Sequence, residues 1–354
     1  MRAVILASSL MRTVELVAKR TLEVVERPMV PEPGPGEVLV RLHAVGICGS
    51  DLHWFEDGGI GHTRATYPMV LGHEPVGEVV GVGRGVESHR VGEKVAIEPS
   101  IVCGQCEFCR SGRPNNCVKC VFMGGTQAPG FFRDYAVVPA RNAEHVPSDM
   151  DYLTATLIEP TAVLVHVFEL IDFRVGDSVA VLGAGPIGLL AAAMARLRGA
   201  SQIFLADRVA HRLRIGRQMD QTLTCINTRQ ENLTEVVLDA TRGRGADIVL
   251  DAAGAVETIN AGLAIARSSG QFVLIGLPTE HVLAIDIHTA MAKELRIQTV
   301  KRSNLKGHEA LDLVLAGKIP DVLITHRMPL EHTAEGFELL SNYRDGVGKV
   351  VIEF

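Results

Sequence analysis

The sequence predicts an α/β protein in two parts, a mostly-β portion followed by a doubly wound parallel sheet with its helices, and three features predict it. At 354 residues the chain exceeds what one core comfortably organises, so two domains are expected. Up to about residue 150 the apolar segments are short, rich in valine and broken by glycine and proline. From there to about residue 300, short continuous apolar runs alternate with stretches of helical length, the pattern of parallel strands buried on both faces.

Element by element, residues 28–36 form a stiff loop, because each proline in that run fixes φ and removes a donor. Residues 37–45 read as a strand, and 76–86, with glycines at 77, 81, 83 and 85, as strands broken by bulges and turns. A helix is expected over 152–170. Strands then follow at 178–182, 202–206, 246–251 and 270–276, separated by helices at 186–198, 210–219, 233–241 and 256–266. After about residue 300 the alternation stops, leaving a helix at 309–316 and a terminal strand at 349–354.

Composition narrows the function. Apolar residues make up 47% and charged ones 21%, and the net charge of -6 with no basic run speaks against a nucleic-acid partner. No stretch has the roughly 18 consecutive apolar residues of a membrane span. Residues 1–10 carry a short apolar run after Arg2, but Met11, Arg12 and Glu15 interrupt it, so it reads as mature sequence or as a few residues ahead of a start at Met11. Seven cysteines, an odd number, point to a reducing compartment, the cytoplasm, and to metal ligation over disulfides.

Gly183-Ala184-Gly185-Pro186-Ile187-Gly188 follows one expected strand and opens the next helix. There the glycines permit a tight turn and close backbone approach to a pyrophosphate, which the helix N-terminus attracts. Asp207 ends the next apolar run, where a carboxylate can hold both ribose hydroxyls and repel a 2′-phosphate, favouring NAD(H) over NADP(H). Adjacent Arg208 could instead pair with that phosphate. Arg212, Arg214 and Arg217 read as a solvated helix face, with Arg212 placed to run along an adenosine.

Cys103, Cys106, Cys109 and Cys117 put four soft ligands within fifteen residues, as a closed structural Zn²⁺ site needs. Iron–sulfur proteins also use C-x2-C-x2-C, but the fourth cysteine here is displaced and lacks a following proline. Cys120 and Cys225 read as small buried residues or inert thiols.

Cys48, Ser50, Asp51 and His53, followed by His73 and Glu74, supply a thiolate, a hydroxyl, carboxylates and imidazoles, the groups of a catalytic metal site with a proton path. Glu159, at the expected start of a helix, is a further candidate ligand. An alcohol oxygen held at an open metal position loses its proton near neutral pH and can then release hydride.

These three motifs, in this order over nearly the whole chain, resemble the zinc-dependent medium-chain dehydrogenase/reductase family, closest to its sorbitol (polyol) dehydrogenase branch. The resemblance implies a GroES-like catalytic domain at 1–156 and 301–354, the tail returning to the first half, and a Rossmann NAD-binding domain at 157–300. It implies one catalytic zinc on Cys48, His73 and Glu74, with Glu159 reaching the metal directly or through water, and one structural zinc on the four-cysteine lobe. Ser50 would pass the alcohol proton by way of the ribose to His53, and Asp51 would orient the ligands.

Trp54, Ile60, Phe122 and Arg302 match positions lining the substrate pocket, and Arg302 could alternatively serve the cofactor. Trp54 and Ser303 replace tyrosines of the polyol pattern, which permits a smaller or less hydroxylated alcohol. The implied activity is reversible, NAD-linked oxidation of a secondary alcohol or polyol by a homo-oligomer, a tetramer or dimer pairing through an edge strand at 296–301. Threonine dehydrogenase and other alcohol dehydrogenase branches, a zinc-free quinone reductase and a non-catalytic dinucleotide-binding relative are the alternatives. The ligand set disfavours the last two.

Overall fold

The structure is a computed structural model and describes residues 9–354. The reading of the opening apolar run therefore lies almost wholly outside the described residues. A hairpin of Leu10–Ala18 and Thr21–Pro28 comes first. Behind it lies a seven-stranded sheet whose hub is Glu37–Gly46, paired antiparallel with Glu74–Val82, Tyr135–Pro139 and Lys349–Glu353.

The chain's last strand thus sits in the sheet built by its first half, and Ile324–Pro329 extends that sheet alongside it. Ile324–Pro329 carries no strand signal in the sequence, because Thr325, His326 and Arg327 hide its alternation. Register irregularities between Leu39 and Val40 and between Leu42 and Ala44 bend the hub strand where the glycines of the Glu74–Val82 strand oppose it.

The second sheet has six strands, all parallel, in the order Thr224–Asn227, Gln202–Asp207, Ser178–Leu182, Ala246–Asp251, Ala266–Leu274, Arg296–Thr299. Numbered along the chain, this is the 3-2-1-4-5-6 order of a dinucleotide-binding fold. Its central strand Ser178–Leu182 is wholly buried, as a strand covered by helices on both faces must be. Thr224–Asn227 escaped the sequence reading because it is short, polar at both ends and placed on the edge.

Between the two sheets runs the helix Ile158–Leu170, preceded by the short turn Tyr152–Ala155. The whole Tyr152–Leu170 stretch is long and apolar enough to cross a membrane by length and composition, although Glu159, His166 and Glu169 break up its apolar run. Its most apolar window is 72% buried, which makes it a core helix. It packs with Gly307–Leu315 and with Pro186–Leu197 in one continuous apolar cluster.

Candidate active site

Sheet register assembles the site. Gly46 pairs with Glu74 across the hub strands, so the segment leaving the first strand, with Cys48, lies beside the segment entering the second, with His73. Ligand atoms of Cys48, His73 and Glu74 all lie within 4.8 Å of one another.

Asp51, wholly buried, ties the two segments together: its Oδ2 accepts from the Cys48 N–H at 3.0 Å and its Oδ1 from the Gly72 N–H at 3.2 Å. The same Oδ1 stands 3.3 Å from His73 Nδ1, within ion-pair reach though out of hydrogen-bonding alignment. His73 Nε2 is thereby turned toward the cluster, with the Ser50 hydroxyl 3.3 Å away.

The donor set fits a divalent metal. Burial alone would lower the His73 pKa, yet the charges of Asp51 and Cys48 outweigh it and hold the imidazole well above its ordinary value. A buried pocket that draws a proton so strongly is one that calls for a cation. Soft sulfur, imidazole and carboxylate together suit zinc.

Glu159 enters from the first turn of the Ile158–Leu170 helix and is not among the three donors whose ligand atoms converge. Burial, above all, pushes it up to about 8; Glu74 and Glu98 add to this, while His73 and Lys349 oppose it. It lines, with Glu74, Glu98, Ser100, Arg141 and Asn142, a cavity of ≈ 120 Å³. That volume holds several waters.

Lys349 was invisible to sequence reasoning, being one cation at the head of an apolar terminal strand. It is 1% exposed, its ammonium pairs with Glu74 Oε2, and it also donates to the Ile47 carbonyl at 3.3 Å. Gly46 makes room for this pair, since a Cβ there would stand 2.0 Å from Glu74 Oε2.

Around the metal cluster, the Phe122 ring lies 5.3 Å from the His73 ring, and the Arg302 guanidinium stacks 4.3 Å above Phe122 while donating to Cys120 Sγ. Arg302 holds φ at +57°, uncommon for a residue with a Cβ. Ile60 is half-buried, and Trp54, 7% exposed, belongs to the apolar core under the site. Ser303 is turned away from that side: its hydroxyl donates to Glu98 Oε2 at 2.9 Å, on the cavity wall.

At the nucleotide end, Gly185 caps the Pro186–Leu197 helix and Pro186 occupies its first turn. A Cβ on Gly188 would stand 1.7 Å from the Gly183 carbonyl, so only glycine lets the helix close on the turn. Ile187 packs against the core. Asp207 Oδ2 accepts from the Ala184 N–H at 2.6 Å and Oδ1 from the Val209 N–H at 2.7 Å, joining the end of its strand to the glycine turn. Arg212 and Arg208 lie over the Tyr343 ring at 4.6 and 5.7 Å, and Arg212 Nε is buried without a partner. An orphaned buried donor beside a glycine turn fits an anionic nucleotide.

The four-cysteine lobe closes as its spacing implies, with Cys103, Cys106, Cys109 and Cys117 all free thiols whose sulfurs lie within 4.8 Å of one another. Backbone N–H groups of Cys109 and Val118 lower Cys106 to about 6, whereas desolvation and the neighbouring thiols push Cys109 up to about 12. Four converging sulfurs, one of them acidified by the backbone N–H groups around it, fit a structural zinc.

The comparisons agree with this geometry. Residues 34–148 match the alcohol dehydrogenase GroES-like domain and residues 186–316 the zinc-binding dehydrogenase model. A sorbitol dehydrogenase of Bacillus subtilis (strain 168) is 32% identical over 329 residues, 93% of either chain. An L-threonine 3-dehydrogenase of the same organism is 37% identical over 327 residues, 91% of this chain and 92% of that one. An Escherichia coli CFT073 structure, described as a short chain alcohol dehydrogenase complexed with NADH, superposes with a TM-score of 0.87 at 32% identity, covering 98% of this chain and 100% of that one.

Fold and site together define a zinc-dependent dehydrogenase. The chain belongs to the zinc-dependent medium-chain dehydrogenase/reductase family and is sorbitol-dehydrogenase-like, an oxidoreductase acting on an alcohol or polyol with a nicotinamide cofactor.

Proposed function

We propose that this protein catalyses the reversible, NAD-linked oxidation of a secondary alcohol or polyol to the ketone, with Cys48, His73 and Glu74 as metal donors and Glu159 within reach as a further one. The convergence of those three donors beside the Ser50 hydroxyl carries the reading. When bound, the metal supplies a Lewis acid that acidifies the alcohol and the nicotinamide a hydride acceptor. Ser50 then takes the hydroxyl proton and His53, its side chain 21% exposed, delivers it toward solvent. Asp51 keeps Cys48 and His73 in place while this happens. Phe122, against His73, and Arg302, stacked on Phe122, border the substrate together with Trp54 and Ile60.

Gly183, Gly185, Pro186, Ile187 and Gly188 receive the pyrophosphate, and Asp207 with Arg208 and Arg212 the adenosine ribose, with NAD(H) preferred. Cys103, Cys106, Cys109 and Cys117 hold a second, structural zinc. The proposed domains are 1–156 with 301–354 and 157–300, a division that the two separate sheets support. Seven free cysteines favour the cytoplasm. The outer strand Arg296–Thr299, with Ile297 and nearby Met291 and Val282 exposed, offers the edge for pairing into a dimer or tetramer.

Metal analysis and steady-state kcat/KM over sorbitol, xylitol, 2,3-butanediol, threonine and simple secondary alcohols, each with NAD and NADP, test the proposal. Two zinc ions per subunit and NAD-dependent turnover are expected. Absence of the catalytic zinc restores the non-catalytic reading, threonine as sole substrate moves the chain to the threonine dehydrogenases, and a monomer by light scattering removes the edge-strand pairing. Replacing His53 with Gln should slow oxidation most at low pH, and an unchanged pH profile overturns its relay role.

A further inference from the structure

His53 and Asp57 are the first and last residues of a single wide π-type turn, His53–Asp57, inserted directly after the short helix that carries Ser50 and Asp51. Turns of this kind interrupt regular helix where a side chain must be re-aimed. Gly58 ends it in the left-handed region at φ +68°, its N–H donating back to the His53 carbonyl. Closing the turn in this way brings Asp57 Oδ2 to 2.9 Å from His53 Nδ1. The adjacent Glu56 is engaged elsewhere, with Arg20. Among the described residues Asp57 has no other hydrogen-bond or ion-pair partner, and nothing bonds to His53 Nε2.

We infer that Asp57 is a positioning residue of the proton relay, fixing His53 as the Nδ1–H tautomer so that Nε2 stands bare as the proton acceptor. The inference rests on the relay reading of His53 given above. A carboxylate on one imidazole nitrogen decides which tautomer is present, orients the ring and stabilises the imidazolium without itself taking the proton. The proton relayed from Ser50, by way of the ribose hydroxyl when the cofactor is bound, would end as a new Nε2–H, the O–H that donates it breaking as that bond forms. The Nδ1–H stays on the ring, hydrogen-bonded to Asp57 Oδ2, and the imidazolium then releases the Nε2 proton to water.

The test compares Asp57→Asn, Asp57→Glu, His53→Gln and the Asp57→Asn/His53→Gln double variant. Each is assayed for kcat and KM with the best alcohol of the panel above, with ¹⁵N spectra of labelled histidine as a readout independent of turnover. Asp57→Asn is expected to lower kcat about tenfold, a share of what a positioned base contributes, with KM and the melting temperature little changed. It should also erase the single-tautomer signature of His53. Asp57→Glu should recover part of the rate, and Asp57→Asn should add nothing in the His53→Gln background.

Full activity in Asp57→Asn, a further loss when Asp57→Asn is added to His53→Gln, or an unaltered His53 tautomer overturns the inference. Slow His53→Gln with fast Asp57→Asn dismisses Asp57 alone. Fast His53→Gln dismisses the relay reading and the inference with it.

Discussion

Lys349, at the head of the last strand, is paired with Glu74, the residue beside His73, and both side chains are 1% exposed. Burial lowers the lysine's pKa, but the charges of Glu74 and Cys48 outweigh this and hold it above its ordinary value, so the ammonium stays charged beside the metal site. The pair joins residues 275 apart in sequence and fastens the returning tail to the wall of the active site.

Removing one member strands the other charge. Lys349→Met should therefore destabilise the protein by about 3–5 kcal/mol, the range for breaking a buried pair, measured by urea unfolding. The double change Lys349→Met/Glu74→Gln should recover part of that loss. Gly46→Ala should mimic it through steric pressure, because the new Cβ would meet Glu74 Oε2 at 2.0 Å. A Gly46→Ala variant of full stability would show that the pair has slack.

How far the sequence discloses this site follows from what each residue depends on. The cysteine lobe and the glycine turn are local, their partners lying within fifteen residues, so spacing alone exposes them. Cys48 and His73 needed the register of Gly46 on Glu74, which no pattern within either segment encodes. Lys349 was illegible as a site residue, and the turn of Ser303 toward Glu98 was unforeseen, because the partners, Glu74 and Glu98, lie more than 200 positions away. Asp57 was missed for a different reason: it stands four residues after His53, on the same face of a helical turn, but a five-residue turn ending at Gly58 is too short for a helical pattern to show in the sequence.

Asp247 fastens the floor of the parallel sheet. Its Oδ2 accepts from the Ser178 N–H and hydroxyl and from Arg244, and its Oδ1 from Arg244 and Arg267. Burial would raise its pKa, but these donors outweigh it and hold the carboxyl well below the usual range. A carboxyl depressed in the folded state stabilises it above the unfolded pKa of about 4 and loses that contribution as pH falls below it. Asp247→Ala should lower stability by about 1–3 kcal/mol at pH 7, and the gap to the parent should shrink as the pH is taken from 5 toward 2. A gap independent of pH in thermal melts would assign the effect to packing instead of charge.

Asp207 has two duties that can be separated. It braces the glycine turn through the Ala184 and Val209 N–H groups, and on the proposed nucleotide reading its negative charge would face an incoming 2′-phosphate, near the cationic Arg208 and Arg212 that lie over Tyr343. Asp207→Asn keeps an oxygen for one of those N–H bonds but deletes the charge, leaving the arginines unopposed. The ratio of kcat/KM for NAD to that for NADP should fall by about tenfold or more, roughly 1.4 kcal/mol of lost discrimination. Asp207→Ala should change the ratio in the same direction while also weakening both nucleotides, because it removes the brace as well. An unchanged ratio in Asp207→Asn would mean that the shape of the turn between Gly183 and Gly188, and not the carboxylate, selects the nucleotide.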